Sequence, residues 1–245
     1  GDGTMAEVAA ALRETDIPLG MLPGGTANVM AVELGVPLDL TPALALIFEQ
    51  VHQVRTVDMG IIDNQPFLLR SSLGYEAEFS ATAPREAKRQ RGRLAYFEHA
   101  FSLLRGLRQA RYIIRADGQT HVSYGITCLI CNSTNVGMTN VQLVHHTDVG
   151  DGLLDVIVIE NMRVGAMVRV FTSIIQGLLP QRMKRTAKPT VHHWQAKQVT
   201  VEVRPAQMVA FDGEKLKTKA KRVTAKALPH AARIIVPPSE PKETS

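Results

Sequence analysis

The grammar of the chain changes near residue 54, and that change constrains the fold more than any other feature. Before it, a helix-like stretch at 5–12, which Thr4 is placed to cap, precedes a short buried strand expected at 17–22, bounded by Pro18 and Pro23. Gly24-Gly25-Thr26 then turns the chain into a second helix-like stretch at 27–34, which Gly35 ends. A third helix is expected from Thr41-Pro42, with Thr41 as cap and the proline in the first turn, running to about residue 51. Strand, glycine loop and helix in succession are the pattern of a parallel sheet with ligand loops at its strand ends. After residue 54, β-patterned runs flank Asp63-Asn64, Asp117-Gly118 and Asp212-Gly213, which are hairpin signals. Strands are expected at 55–58, 66–69, 111–115, 121–131, 153–160, 198–203, 208–211 and 231–236, interrupted by helices at 93–107 and 164–179.

Composition limits the function classes. The 245 residues are 45% hydrophobic and 21% charged, the balance of a globular chain. The formal net charge of +5 suits an anionic partner such as a nucleotide, a phosphate or an acidic bilayer, and is too small to demand nucleic acid. No apolar run approaches the roughly 18 residues a membrane span needs. Cys128 and Cys131 lack the second ligand pair of a zinc site, and three residues apart on a strand they point to opposite faces, as two buried thiols. The opening Gly1-Asp2-Gly3-Thr4, without an initiator Met, is what a fragment cut inside a motif would show.

Four short segments can carry chemistry. Gly1-Asp2-Gly3-Thr4 and Pro23-Gly24-Gly25-Thr26-Ala27-Asn28 each let backbone N–H groups approach a phosphate at a helix start. Standing one βα unit apart, they can face one crevice. Neither is a Walker A loop, because no Gly-Lys-Ser/Thr follows. Asp148, Asp151 and Asp155 lie in an acidic glycine loop whose oxygens suit a hard cation, although the spacing is not that of an EF-hand. Phe211-Asp212-Gly213-Glu214 sets two carboxylates at a hairpin tip. Lys88-Arg89-Gln90-Arg91-Gly92-Arg93 precedes an amphipathic stretch, and further basic clusters stand at 182–188 and 215–222. His145-His146 and His192-His193 read as surface or strand histidines.

In that order the four segments resemble the diacylglycerol kinase catalytic-domain family of lipid kinases, which includes sphingosine and ceramide kinases. Val57-Asp58-Met59-Gly60, Ser72-Leu73-Gly74-Tyr75, Gly92-Arg93-Leu94-Ala95-Tyr96 and Leu228-Pro229-His230-Ala231 extend the resemblance along nearly the whole chain. It implies a mixed fold, α/β plus all-β: a truncated phosphofructokinase-like α/β nucleotide-binding domain joined to an antiparallel β-sandwich, with the active site between them. The expected division is 1–54 with 233–245 for the first and 55–232 for the second. The resemblance also implies an ATP-dependent lipid kinase acting on diacylglycerol. Gly1, Asp2, Gly3, Thr4 and Glu7 would line the nucleotide, with Gly25, Thr26 and Asn28 in the second loop. Mg²⁺ would be held by Asp148, Asp151 and the carbonyl of Leu153. Asp212 is the favoured base for the lipid hydroxyl, with Glu214 the alternate.

Expected partners are the lipid substrate and an anionic membrane, contacted peripherally at the inner surface from the cytoplasm, without nucleic acid; a homodimer stays open. The same resemblance implies that part of the nucleotide domain is missing from this chain, so that it is expected to lack full activity alone. An NAD kinase-like enzyme and a non-catalytic lipid- or nucleotide-binding module are the rival readings.

Overall fold

The computed structural model describes residues 1–25, 28–49, 52–74, 109–135, 144, 147–160, 190–212, 214–215 (main chain) and 219–238. The expected helices at 93–107 and 164–179, the basic runs at 88–93 and 182–188, His145-His146 and Thr26 lie outside the described residues.

Three helices come first: α1 (Asp2–Leu12), α2 (Val29–Glu33) and α3 (Leu40–Phe48). Twelve strands follow among the described residues: β1 (Gln53–Ile62), β2 (Gln65–Phe67), β3 (Arg70–Gly74), β4 (Ala110–Ala116), β5 (Gln119–Gly125), β6 (Thr127–Cys131), β7 (Leu154–Ile159), β8 (Val191–Ala196), β9 (Gln198–Gln207), β10 (Val209–Phe211), β11 (Glu214–Lys215) and β12 (Ala220–Val236). They form two antiparallel six-stranded sheets, ordered β2-β1-β12-β9-β4-β5 (sheet A) and β11-β10-β3-β6-β7-β8 (sheet B). Tyr112, Ile114, Val201, Val203 and Val223 of sheet A meet Leu73, Cys128, Ile130, Val156 and Val158 of sheet B in one buried core. The β-sandwich is thus present as the sequence implied.

The helical part packs on one end of this sandwich. Ala6 and Ala9 of α1, Met30 and Ala31 of α2, and Met21 form a second core with Val57 and Met59 of β1 and Ile234 and Val236 of β12. β12 is the shared element: it pairs with β9 through 220–226 and with β1 through 225–236. Its far end makes a parallel bridge from Ile234 to Leu19. Of the expected strand at 17–22 only that bridge forms, held by Leu19 N–H to the Arg233 carbonyl and Ile235 N–H to the Leu19 carbonyl. Pro18 and Pro23 supply no N–H to lengthen it.

Helix starts also shift. α1 begins at Asp2 with Gly1 at the cap position, so Thr4 is inside the helix and not its cap. α3 begins at Leu40, with extended Asp39 at its cap, and ends at Phe48. Thr41 is therefore not the cap, while Pro42 sits in the first turn, where a missing N–H leaves no intrahelical bond unmade.

The expected strand at 121–131 is two strands in two sheets. β5 pairs with β4 in sheet A, and β6 pairs with β3 and β7 in sheet B. The chain crosses at Gly125-Ile126: a Cβ on Gly125 would lie 2.6 Å from the Ile159 carbonyl oxygen, which accepts the Ile126 N–H. Only glycine permits that approach. β8 and most of β12 were not expected as strands. Cys128 faces the main core and Cys131 a third cluster with Leu129 and Ile157, both as free thiols, as the three-residue spacing required. Burial pushes the Cys128 thiol up to about 12.

Candidate active site

The two glycine loops meet. A Cβ on Gly25 would lie 2.7 Å from the Cα of Gly1 and 2.8 Å from Asn28 Oδ1, so the loops touch backbone to backbone. Asn28, in the left-handed region at φ 46°, clamps the second loop by accepting the Gly25 N–H at 2.9 Å and donating to the Gly25 carbonyl at 3.1 Å. The first turn of α1 starts beside this contact, and Gly1, Gly3 and Thr4 are exposed there. Such a turn offers N–H groups without intrahelical partners and the positive end of the helix dipole, which is the setting for a phosphate. Asp2 is half-buried in that turn. Glu7 is exposed on the next turn, and its side chain makes no hydrogen bond or ion pair among the described residues.

Asp212 occupies a very different setting. It sits at φ 45° in the turn between β10 and β11, where Phe211 pairs with Glu214. Its carboxylate accepts three successive backbone N–H groups where the loop after β2 enters β3: Leu68 at 2.5 Å, Leu69 at 2.8 Å and Arg70 at 3.0 Å. Its own N–H donates to the Arg70 carbonyl. Burial pushes its carboxyl above the usual carboxylate range, against the opposing pull of those three N–H groups and of Arg70. Both oxygens of the favoured base are therefore already engaged as a structural clamp.

The acidic loop lies between β6 and β7. Asp148 accepts Arg55 Nη2 at 2.6 Å and the Gly150 N–H at 3.0 Å. Asp151 accepts the Leu153 N–H at 2.9 Å. Burial raises the Asp151 carboxyl, and the nearby charges of Asp155, Asp58 and Asp148 add to the rise. That concentration of negative charge and the oxygen-only donors suit a hard cation. Among the described residues, however, no group of three His, Cys, Asp or Glu side chains is arranged to hold a metal ion. An open cleft of about 470 Å³ adjoins the loop, lined by Asp151, Lys197, Pro229 and His230 among others. Leu153 enters β7 just after it, and Asp155 is buried against His193 Nε2 at 2.6 Å.

Two residues link these parts. Asp58, fully buried in β1, accepts the Gly152 N–H at 2.6 Å and the His230 N–H at 2.7 Å, stapling the acidic loop to the bulge in β12. Asn132, 1% exposed, donates to the carbonyls of Asp58 and Leu68, and its own N–H donates to the Leu69 carbonyl. It therefore braces the same loop that clamps Asp212. Beside it, Ser133 Oγ donates to Glu33 of α2 at 3.1 Å, so the helix after the second glycine loop is tied to the sandwich. Burial raises the Glu33 carboxyl, with Ser133, Asn135 and Arg55 opposing.

Residues 70–236 match the model of the YegS C-terminal NAD kinase beta sandwich-like domain, and residues 1–62 that of the diacylglycerol kinase catalytic domain. The chain belongs to the family of the YegS C-terminal NAD kinase beta sandwich-like domain, and its first 62 residues are similar to the diacylglycerol kinase catalytic domain. It is 27% identical over 217 residues to a diacylglycerol kinase of Bacillus subtilis, covering 87% of this chain and 69% of that one. It is 29% identical over 254 residues to a "Probable lipid kinase YegS-like" of Klebsiella pneumoniae, covering 98% and 77%. A Synechocystis relative named as uncharacterized is 31% identical over 243 residues, and the chain spans 53% of its length. The crystal structure of a diacylglycerol kinase from Bacillus anthracis shares the fold, with a TM-score of 0.65 at 22% identity over 97% of this chain and 74% of that one.

In this YegS-family chain, sequence reasoning singled out the loops but not their braces. Asp58 had one signal, a carboxylate inside the apolar run Val57-Asp58-Met59, quoted only as a piece of the resemblance. Asn132, Ser133 and Glu33 gave none, because their role arises from contacts across 64 to 100 residues of chain.

Proposed function

We propose that the protein carrying this chain is an ATP-dependent lipid kinase that moves the γ-phosphate of ATP to the hydroxyl of diacylglycerol. The observation that supports this most is the ordered match of both halves, 1–62 and 70–236, to the two family models. The nucleotide phosphates would lie at the Gly1–Gly25 contact, against Asp2, Gly3, Thr4, Thr26 and the Asn28-clamped loop, with Glu7 near the nucleotide. Phosphoryl transfer depends on positioning and on charge at the phosphates, with a carboxylate to orient the attacking hydroxyl. We assign the proton acceptor to Glu214 and not to Asp212. The three amides on Asp212 support that choice, since a carboxylate spent on a clamp is a poor base. Asp212 then fixes the turn that presents Glu214. Magnesium, held by Asp148, Asp151 and the Leu153 carbonyl, would neutralise the acidic loop when bound. The enzyme would work at the inner membrane surface, reached from the cytoplasm. Among the described residues no helix is long and apolar enough to cross a membrane.

The test is transfer of labelled γ-phosphate to diacylglycerol in mixed micelles by the full-length protein. Glu214→Gln should lower turnover by about 10²–10⁴-fold with unchanged melting. Full activity in Glu214→Gln would remove it as the base, and phosphorylation of NAD in place of lipid would overturn the lipid assignment.

A further inference from the structure

One face of the sandwich carries more charge than its folding explains. In sheet A, alternate residues point into the core: Tyr112 and Ile114 of β4, Val201 and Val203 of β9, Val223 and Ala225 of β12. The residues between them face outward. Among the described residues they include five cations, Arg111, Arg115, Arg204, Arg222 and Lys226, against the single carboxylate of Glu202. Glu202 pairs across the sheet with Arg222 and Ile113. Arg115 donates to its carboxylate at 2.5 Å, and Arg115, Arg222 and Arg204 together hold it below the usual carboxylate range. That anion is used up internally. Arg111 stands directly opposite Arg204, and neither forms an ion pair among the described residues. Like charges directly opposite in an antiparallel pair destabilise it, so this placement has a cost within the isolated molecule.

Apolar residues lie among these charges. Tyr124 and Val122 of β5, 53% and 51% exposed, stand directly opposite Arg111 and Ile113. Asp63 and Asp117 sit at hairpin tips along one margin, where they accept backbone N–H groups. The opposite margin ends on exposed Lys221. Cations around an exposed tyrosine on a broad, pleated face complement an anionic bilayer, whose headgroups take the charge while the ring enters the interface.

We propose that the outer face of sheet A, centred on Arg111 and Arg204, is a docking surface for an anionic lipid bilayer. The choice of a bilayer over another polyanion rests on the lipid-kinase reading above. The same repulsion excludes a second copy of this face as occupant.

The experiment is co-flotation of the full chain with vesicles of phosphatidylglycerol mixed with phosphatidylcholine, against vesicles of phosphatidylcholine alone. The unaltered chain should float with the anionic vesicles only, and less so as salt is raised. Arg111→Glu/Arg204→Glu should lower that partition on the order of tenfold or more. Arg111→Gln/Arg204→Gln should lower it by less, and Arg13→Glu/Arg233→Glu, which changes net charge equally but away from the face, by least. Circular dichroism checks that each variant folds. Absence of binding by the unaltered chain, or equal losses in the two Glu double variants, overturns the proposal. So does a loss of single-stranded RNA binding in the face variant while vesicle binding persists. Failure of the full-length protein to phosphorylate any lipid in micelles, with the vesicle difference intact, sinks the kinase reading and leaves the docking face standing.

Discussion

Two turns of this molecule carry the same Asp-Gly dipeptide, with aspartates of nearly the same φ, yet serve different ends. Asp117 and Asp212 both lie in the left-handed region, at φ 44° and 45°, and both spend their carboxylates on backbone N–H groups. Asp117 closes the β4–β5 hairpin of sheet A at the surface and accepts the N–H groups of Lys197 and Gln198. Those bonds hold its carboxyl below the usual range. Asp212 accepts three N–H groups, yet burial sends its carboxyl the other way. Hydrogen bonds to a carboxylate favour its charge, and loss of water opposes it. In sheet A the first effect wins and the aspartate is a surface cap; in sheet B the second wins and the aspartate is an interior clamp.

The sharpest way to break the comparison is to truncate both. Asp212→Ala should lower kinase turnover of the full-length protein on the order of 100-fold and urea stability by about 1–3 kcal/mol, since three buried donors lose their acceptor. Asp117→Ala should leave turnover unchanged; equal losses would mean that the two turns are equivalent. A third aspartate extends the buried case. Asp58→Ala should cost about 2 kcal/mol and strip hydrogen-exchange protection from the Gly152 and His230 amides, with those of Lys197 and Gln198 untouched. Retained protection at Gly152 would show that the staple is dispensable.

The two carboxyls should also respond to pH with opposite sign. The raised Asp212 contributes stability that is full below the unfolded value of about 3.9 and is lost as pH rises through its folded value. The lowered Asp117 contributes stability that is present above about 3.9 and lost as pH falls through its folded value. Unfolding curves of Asp212→Asn and Asp117→Asn against the unaltered protein measure both, and the same sign in the two would remove the role given to burial. The smallest effect is the size of the Asp117 contribution itself. Solvent screening should keep it to a few tenths of a kcal/mol, readable as a slightly lower urea midpoint in Asp117→Ala.

The legible parts of the fold were those set by local rules. Asp63-Asn64 and Asp117-Gly118 take positive φ at both central positions, which few other dipeptides tolerate, so the hairpins could be placed from four residues. The opposite facing of Cys128 and Cys131 followed from the strand period alone. Even the contact of Gly1 with Gly25 was foreshadowed, because two glycine loops one βα unit apart can face one crevice. The break between β5 and β6 was not legible, since the apolar run 124–131 continues unchanged through Gly125 and only the approach of Ile159 from another strand divides it. The strand at 17–22 failed for a related reason: an apolar stretch forms a strand only as far as a neighbour supplies hydrogen bonds, and Leu19 finds them only at Arg233 and Ile235.

By itself the sequence determined the turns, the change from βα to hairpin pattern, the family and the short list of carboxylates that chemistry could use. How each aspartate is engaged was decided only by the tertiary structure. Asp117 and Asp212 are the same side chain in similar local settings, and a carboxylate's reactivity depends on how many N–H groups reach it and how much water remains. Both quantities are set by strands distant in sequence, so no local pattern can encode them.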